Sequence, residues 1–170
     1  MKLIAAMGAL LSQDIIVGAT PSSRLNIPTP AHGKNLRKGR YSSHNQIYLI
    51  TTVTQNRQPV FADFYKGRQL IKVLQNERHA ETLAFVVMPD HLHWLMVLGE
   101  QRQLAMVVQG VKSISSRIIG SPLWQAGYHD HALRAEDDLQ ATARYIVANP
   151  LRAGLVERIG DYPHWDAVWL

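Results

Sequence analysis

The spacing of apolar positions changes repeatedly along the chain and predicts a series of strands and helices. Runs rich in β-branched and apolar residues are typical of strands, and apolar residues at helical spacing are typical of amphipathic helices. In chain order, the pattern predicts a strand at 46–55, a helix at 63–79, strands at 82–88 and 91–98, a helix at 103–119, a mixed extended segment with a strand at 122–134, and a helix at about 136–149.

The connection between the two middle strands indicates the fold class. Only Pro89 and Asp90 separate them, which leaves no room for a crossover helix, so we expect an antiparallel hairpin. The full order predicts an α+β fold, a ferredoxin-like split βαβ antiparallel sheet with helices on one face and an added C-terminal helix. Prolines, glycines and serines at 20–44 indicate a linker. We therefore expect a poorly ordered extension at 1–39 and one domain at 40–170.

Composition narrows the function classes. The chain has 170 residues and no cysteine, which excludes disulfides, thiolate zinc sites and cysteine nucleophiles. A net charge of +5 and a pI of about 9.7 favour a polyanionic partner, with nucleic acid the first expectation. No apolar run approaches the roughly 18 residues of a membrane span. The start resembles a signal peptide only superficially, because the apolar stretch at 3–11 is short and Asp14 follows it.

Two histidines in the strand 91–98 are the first candidate chemistry. His91 and His93 alternate and therefore share one face, at the beginning of the strand and near the rim of the sheet. Two imidazoles about 7 Å apart by strand rise can converge on one metal ion. Core histidines with ordinary hydrogen-bond partners are an equally good interpretation, and a metal site would need a third ligand.

Two residues of the last predicted helix are candidates to complete the site. Tyr145 and Asn149 stand four residues apart, hence on one helix face. Asn149 could offer an amide oxygen to a metal and Tyr145 a phenol oxygen to a metal-bound group. Alternatively, Tyr145 is a core aromatic residue with its hydroxyl at the surface, and Asn149, which precedes Pro150, caps a short new helix.

The remaining polar candidates are either DNA contacts or ordinary surface residues. A second histidine pair, His129 and His131, could complete a four-histidine centre with the first pair, as in a metallohydrolase, or could belong to a structural or DNA-contacting strand. The basic residues either bind phosphates or are simply solvated. They are Lys34, Arg37, Lys38 and Arg40 in the linker, and Arg134, Arg144 and Arg152 farther on.

Three stretches carry a family resemblance. "VVMPDHLHWLMVL", "LWQAGYHDHALR" and "ARYIVANPLRAGLVERIGDYPHW", in this order, resemble the Y1 transposases of the IS200-like superfamily, most closely the branch associated with repetitive extragenic palindromes. The resemblance extends from about Arg40 to Trp165. Departures from the family pattern are peripheral, such as the extended N-terminus and His44 where proline is common.

The resemblance implies a His-hydrophobic-His nuclease that cuts and rejoins single-stranded DNA at palindromic hairpin repeats. His91, His93 and Asn149 match the ligands of a divalent ion, Mg²⁺ or Mn²⁺, and Tyr145 matches the catalytic tyrosine that forms a 5′-phosphotyrosine. It also implies a bacterial cytoplasmic, nucleoid-associated protein without a membrane partner, as a monomer or dimer. The alternatives are a domesticated protein that binds hairpin DNA without cutting it, and the four-histidine hydrolase.

Overall fold

The architecture is described from a computed structural model for residues 43–120, 122–134 and 138–169. The strands are β1 (Ile47–Val53), β2 (Ala80–Met88), β3 (His91–Leu98), β4 (His129–Ala132) and β5 (Trp165–Ala167). The helices are α1 (Phe64–Gln75), α2 (Leu104–Ile119), α3 (Leu139–Val147) and α4 (Asn149–Arg152), with 3₁₀ turns at Gln55–Arg57, Val60–Ala62 and Ile159–Asp161. Within these ranges, no helix combines the length and apolar character needed to cross a bilayer.

The strands form one antiparallel sheet in the order β4-β1-β3-β2-β5. The first four strands follow the order of a split βαβ fold, so the predicted ferredoxin-like α+β architecture is confirmed. The predicted hairpin is also confirmed, because β2 and β3 pair antiparallel across the turn at Pro89 and Asp90. Strand β5 was not predicted and extends the sheet beyond β2.

Each face of the sheet has its own apolar core. Helices α1 and α2 cover one face, where Trp94 and Ile50 of the sheet are buried with Leu70 and Val107 of the helices. Helix α3 covers the other face, where Leu95 is buried in one cluster with Ile146 and other residues. Alternation along β3 explains the division, since Trp94 and Leu95 point to opposite faces. The added C-terminal helix therefore lies on the face to which His91 and His93 belong.

The last predicted helix is broken in two. Asp138 caps α3 by accepting a hydrogen bond from the backbone N–H of Ala141 at 2.9 Å. The helix ends at Val147, and α4 starts two residues later, with Pro150 in its first turn. Proline has no N–H to donate and disfavours a helical residue before it, so it ends a helix but tolerates the start of the next. The single helix predicted over 136–149 is wrong in this respect.

The C-terminal segment is fixed to the edge of β2. The N–H of Val87 donates to the carbonyl of His164 at 2.8 Å, and the hydroxyl of Tyr162 donates to the carbonyl of Val87 at 2.7 Å. Burial raises the pKa of Tyr162 to about 12, so this hydroxyl remains a donor. The His164 ring is buried against α1, where its Nε2 donates to the carbonyl of Phe64 at 3.2 Å.

A glycine in α1 makes room for this histidine and gives a stability prediction. A Cβ at Gly67 would lie 2.4 Å from Cε1 of His164. We expect Gly67→Ala to lower the free energy of unfolding by about 1–2 kcal/mol, because overpacking costs about 1–3 kcal/mol and exceeds the helix-propensity gain of about 0.5–1 kcal/mol. Urea denaturation measures the change.

A second helical glycine provides the matched control. A Cβ at Gly110, inside α2, would meet no atom within 4 Å, so Gly110→Ala should raise the free energy of unfolding by about 0.5–1 kcal/mol. If both variants had a higher free energy of unfolding than the wild type, the His164 ring would not exclude a side chain at position 67.

Candidate active site

The two histidine rings meet at the start of the central strand β3. In the sheet, His91 lies opposite Val53 of β1 and His93 lies opposite Thr51. Their ring centroids are 4.8 Å apart, with the planes at 84°. The predicted position of the pair, at the beginning of a strand and on one face, is therefore observed.

In each of the two histidines, Nδ1 is within hydrogen-bond distance of a side-chain oxygen. Nδ1 of His91 lies 2.5 Å from a carboxylate oxygen of Asp90, and Nδ1 of His93 lies 2.8 Å from the hydroxyl oxygen of Thr51. Arg57 donates to the other carboxylate oxygen of Asp90 at 2.9 Å. When Nδ1 carries the ring proton, Nε2 has the free lone pair, which is the usual state of a metal-binding histidine with a supporting oxygen.

The electrostatics of the pair agree with this state. Partial burial acts to raise the pKa of Asp90, but the hydrogen bonds and charges of His91 and Arg57 outweigh it, and the pKa is lowered. Burial lowers the pKa of His93 to about 3, with smaller effects from the charges of His91 and Arg152. The His93 ring is therefore neutral near pH 7, as a metal ligand must be.

Tyr145 and Asn149 lie on either side of the break between α3 and α4, and Arg152 links them. One terminal nitrogen of Arg152, Nη2, donates to the carbonyl of Tyr145 at 2.7 Å and to Oδ1 of Asn149 at 2.8 Å. The guanidinium carbon lies 4.0 Å from the centroid of the Tyr145 ring. Asn149 also donates from Nδ2 to the carbonyl of Ile146 at 2.8 Å.

The alternative for Tyr145 is wrong, whereas the alternative for Asn149 is right about the short new helix and wrong about the cap. The Tyr145 side chain is 37% exposed and belongs to neither apolar cluster of the described residues. The residue in the cap position of α4 is Ala148, and no side chain caps this helix. Asn149 is the first residue of α4, and its amide binds Ile146 and Arg152 instead of capping the helix.

The break between α3 and α4 lies on the same face of the sheet as the two histidines. Ile146 is buried in the same cluster as Val86, and Val86 lies directly opposite His93 in the sheet. The charge of Arg152, which binds Asn149, is also close enough to lower the pKa of His93. Sequence reasoning had treated Arg152 as a surface or phosphate-binding residue and had not identified Thr51, Asp90 or Arg57 as supports of the histidines.

The second histidine pair does not complete a metal centre. His129 lies opposite Thr51 on the far side of β1 from His93, and His131 lies opposite Leu49. Both are exposed on the short strand β4. Within the part of the chain that the structure describes, no three His, Cys, Asp or Glu side chains are grouped so that they could hold a metal. The four-histidine hydrolase is therefore wrong.

The remaining candidate DNA contacts fall in two places. Arg134 is exposed just after β4. The basic arm at Lys34, Arg37, Lys38 and Arg40, and the whole extension predicted at 1–39, lie outside the described residues. Their interpretation as DNA contacts stays a prediction.

Comparison with known proteins assigns the chain to a family. The sequence profile described as "Transposase IS200 like" matches residues 42–149, a range that includes the histidine pair, Tyr145 and Asn149. The chain belongs to the IS200-like transposase family. Membership confirms the recognised family and the prediction of a transposase of the Y1 type.

Relatives of this transposase indicate its branch within the family. A REP-associated tyrosine transposase of Escherichia coli K12 is 27% identical, over 73% of this chain and 78% of that protein. A Haemophilus influenzae protein provisionally given the same name is 28% identical, over 69% of this chain and 77% of that protein. A solved structure of a REP-associated tyrosine transposase bound to a REP hairpin has a TM-score of 0.63 and 27% identity, covering 74% of this chain and 79% of that one.

Proposed function

We propose that this transposase cuts and rejoins single-stranded DNA beside hairpin repeats, with Tyr145 as the nucleophile and a divalent cation bound by His91, His93 and Asn149. The proposal depends on one observation, that both histidines make their side-chain hydrogen bond through Nδ1. Asp90 and Thr51 occupy Nδ1 of both rings, which leaves Nε2 of both for one ligand on the face covered by α3. Core histidines would also need hydrogen-bond partners, so the support for a cation is that the two rings, 4.8 Å apart, keep the same nitrogen for a ligand on the same face.

The residues present fit a hard or borderline divalent cation. Two imidazole nitrogens and one amide oxygen provide three donors and leave further positions for phosphate oxygens and water. Imidazole donors favour Mn²⁺ over Mg²⁺. When bound, the cation would polarise the scissile phosphodiester and stabilise the negative charge that develops on it.

The chain's own residues account for the covalent step. The Tyr145 oxygen forms a bond to phosphorus while the bond from phosphorus to the 3′-oxygen breaks. The phenol proton is lost and the departing 3′-oxygen gains one, so the products are a 5′-phosphotyrosine and a free 3′-hydroxyl. A 3′-hydroxyl that later attacks the phosphotyrosine reverses the exchange and rejoins DNA without an external energy source.

The substrate follows from charge and from the relatives. A chain of net charge +5 is attracted to the phosphate backbone, and Arg57, which is exposed and pairs with Asp90 beside His91, can contact a phosphate. The related transposase in the solved complex is bound to a REP hairpin. We therefore propose hairpin-forming palindromic repeats with single-stranded flanks as the substrate of this chain.

A covalent trapping assay tests the proposal. The full chain is incubated with 5′- and 3′-labelled hairpin DNA carrying single-stranded flanks, with Mn²⁺, and separated on a denaturing gel. We expect a protein–DNA adduct that carries the label 3′ of the cut and disappears when a chelator is added. Fully duplex DNA of the same sequence serves as the control and should give no adduct. Hairpin binding without any adduct would show a DNA-binding protein instead.

A further inference from the structure

The guanidinium of Arg152 contacts three parts of the candidate site at once. It binds the carbonyl of Tyr145 and Oδ1 of Asn149, and it stacks on the ring of Tyr145. All three contacts are made by a residue that follows both site residues in the chain, at the end of α4. We propose that Arg152 is a positioning residue, which presents the oxygen of Asn149 to the cation and holds the ring of Tyr145 in place. This inference rests on the proposed function of the site.

The first step of the argument is the orientation of the Asn149 amide. A side-chain amide can point either its oxygen or its NH₂ group in a given direction. Here both ends are specified, because the carbonyl of Ile146 accepts from Nδ2 and Arg152 donates to Oδ1. A flipped amide would place NH₂ against a guanidinium and oxygen against a carbonyl. Arg152 therefore ensures that Asn149 presents its oxygen, the only amide atom that binds a cation.

The second step is that the oxygen stays available while Arg152 holds it. A carbonyl-type oxygen has two lone pairs, so Oδ1 can accept one hydrogen bond and still ligate a cation. His91 is supported in the same way, because Asp90 binds its Nδ1 and leaves Nε2 for a ligand. Arg152 would thus do for the amide ligand what Asp90 and Thr51 do for the imidazoles.

The third step concerns the Tyr145 ring. Tyr145 is exposed, so the apolar core does not fix its side-chain orientation. A guanidinium 4.0 Å from the ring centroid restricts the ring through a cation–π contact, and the hydrogen bond to the Tyr145 carbonyl anchors the same guanidinium to the helix. Both the nucleophile and one ligand are therefore held by a single side chain.

The shape of arginine, rather than its charge, is what this role requires. Two hydrogen bonds from one planar nitrogen and a flat stacking surface are available to arginine, whereas lysine offers a point charge. Arg152→Lys should therefore keep attraction to phosphates but lose much of the positioning. We expect about 10-fold weaker Mn²⁺ binding by the DNA-free protein, followed by electron paramagnetic resonance of free Mn²⁺, and a similarly slower rate of adduct formation at saturating DNA.

The double-mutant cycle with Asn149→Ala distinguishes positioning from general stabilisation. If Arg152 acts on the cation through Asn149, Arg152→Lys should weaken Mn²⁺ binding little further once Asn149 is alanine. If Arg152→Lys weakened Mn²⁺ binding by the same factor with and without Asn149→Ala, Arg152 would not act through Asn149. Arg158→Lys is the matched control, because Arg158 is exposed and pairs with Asp161 at 3.1 Å on the surface. Thermal unfolding of each variant sets the temperature at which all are folded.

The remaining outcomes separate this inference from the proposed function. If Arg152→Lys binds Mn²⁺ and forms adduct like the wild type, the inference is overturned, and a smaller salt dependence of DNA binding in Arg152→Ala would then identify Arg152 as a phosphate contact. If the wild type itself forms no adduct, the proposed function fails, whereas the Mn²⁺ measurements still report whether Arg152 orients Asn149.

Discussion

Tyr145→Phe is expected to form no covalent adduct with single-stranded hairpin DNA, a loss of at least about 10³-fold. The substitution removes one oxygen, the atom proposed to bond to phosphorus. The phenyl ring that stacks under Arg152 and the carbonyl that Arg152 binds both remain, so the fold and the neighbouring Asn149 should be unchanged. The adduct is measured on a denaturing gel, and DNA affinity by gel shift should stay within about 2-fold of the wild type.

A second tyrosine provides the control for removing a phenol oxygen elsewhere in the protein. Tyr65 on α1 is 78% exposed and lies on the helix layer opposite α3. Tyr65→Phe should form adduct at the wild-type rate. An adduct that persists in Tyr145→Phe would assign the nucleophile to another residue and would end the proposal for Tyr145.

His93→Ala is expected to weaken Mn²⁺ binding by at least about 100-fold, because it removes a ligand and not only a supporting partner. Cutting should fall with it, to the level that the wild type shows with a chelator. Isothermal titration with Mn²⁺ and the adduct assay measure the two effects. Hairpin affinity should be retained, because phosphate contacts by the exposed arginines do not need this ring.

An exposed histidine provides the comparison for this variant. His44 precedes β1 and its Nδ1 lies 2.9 Å from the carbonyl of Gly99, on the side of the sheet where β3 ends. His44→Ala should bind Mn²⁺ like the wild type. Equal Mn²⁺ affinities for His93→Ala and the wild type would place the cation elsewhere or show that none is bound here.

Local patterns in the sequence were sufficient to predict the β2–β3 hairpin and the position of the histidine pair. The β2–β3 hairpin could be predicted because two apolar runs are joined by a connection too short for anything else. The shared face of His91 and His93 followed from strand alternation alone. Both are properties of adjacent residues, which sequence reasoning reads directly.

Features that depend on pairing across the fold could not be predicted in the same way. Thr51 supports His93 only because β1 pairs with β3 in one register, which is set by the whole sheet. Strand β5 has three residues and takes its structure from the edge of β2. The link from Arg152 back to Tyr145 needed the helix break at Ala148, although Pro150 was a visible signal for it.

The candidate site has two halves that belong to different parts of the fold. The imidazole half belongs to a central strand with hydrogen-bonded neighbours on both sides. The phenol and amide half sits on a nine-residue helix and one further turn at the periphery, where sub-global opening is easier. Local fraying of this outer layer would therefore separate Tyr145 and Asn149 from the two histidines while the sheet stays intact.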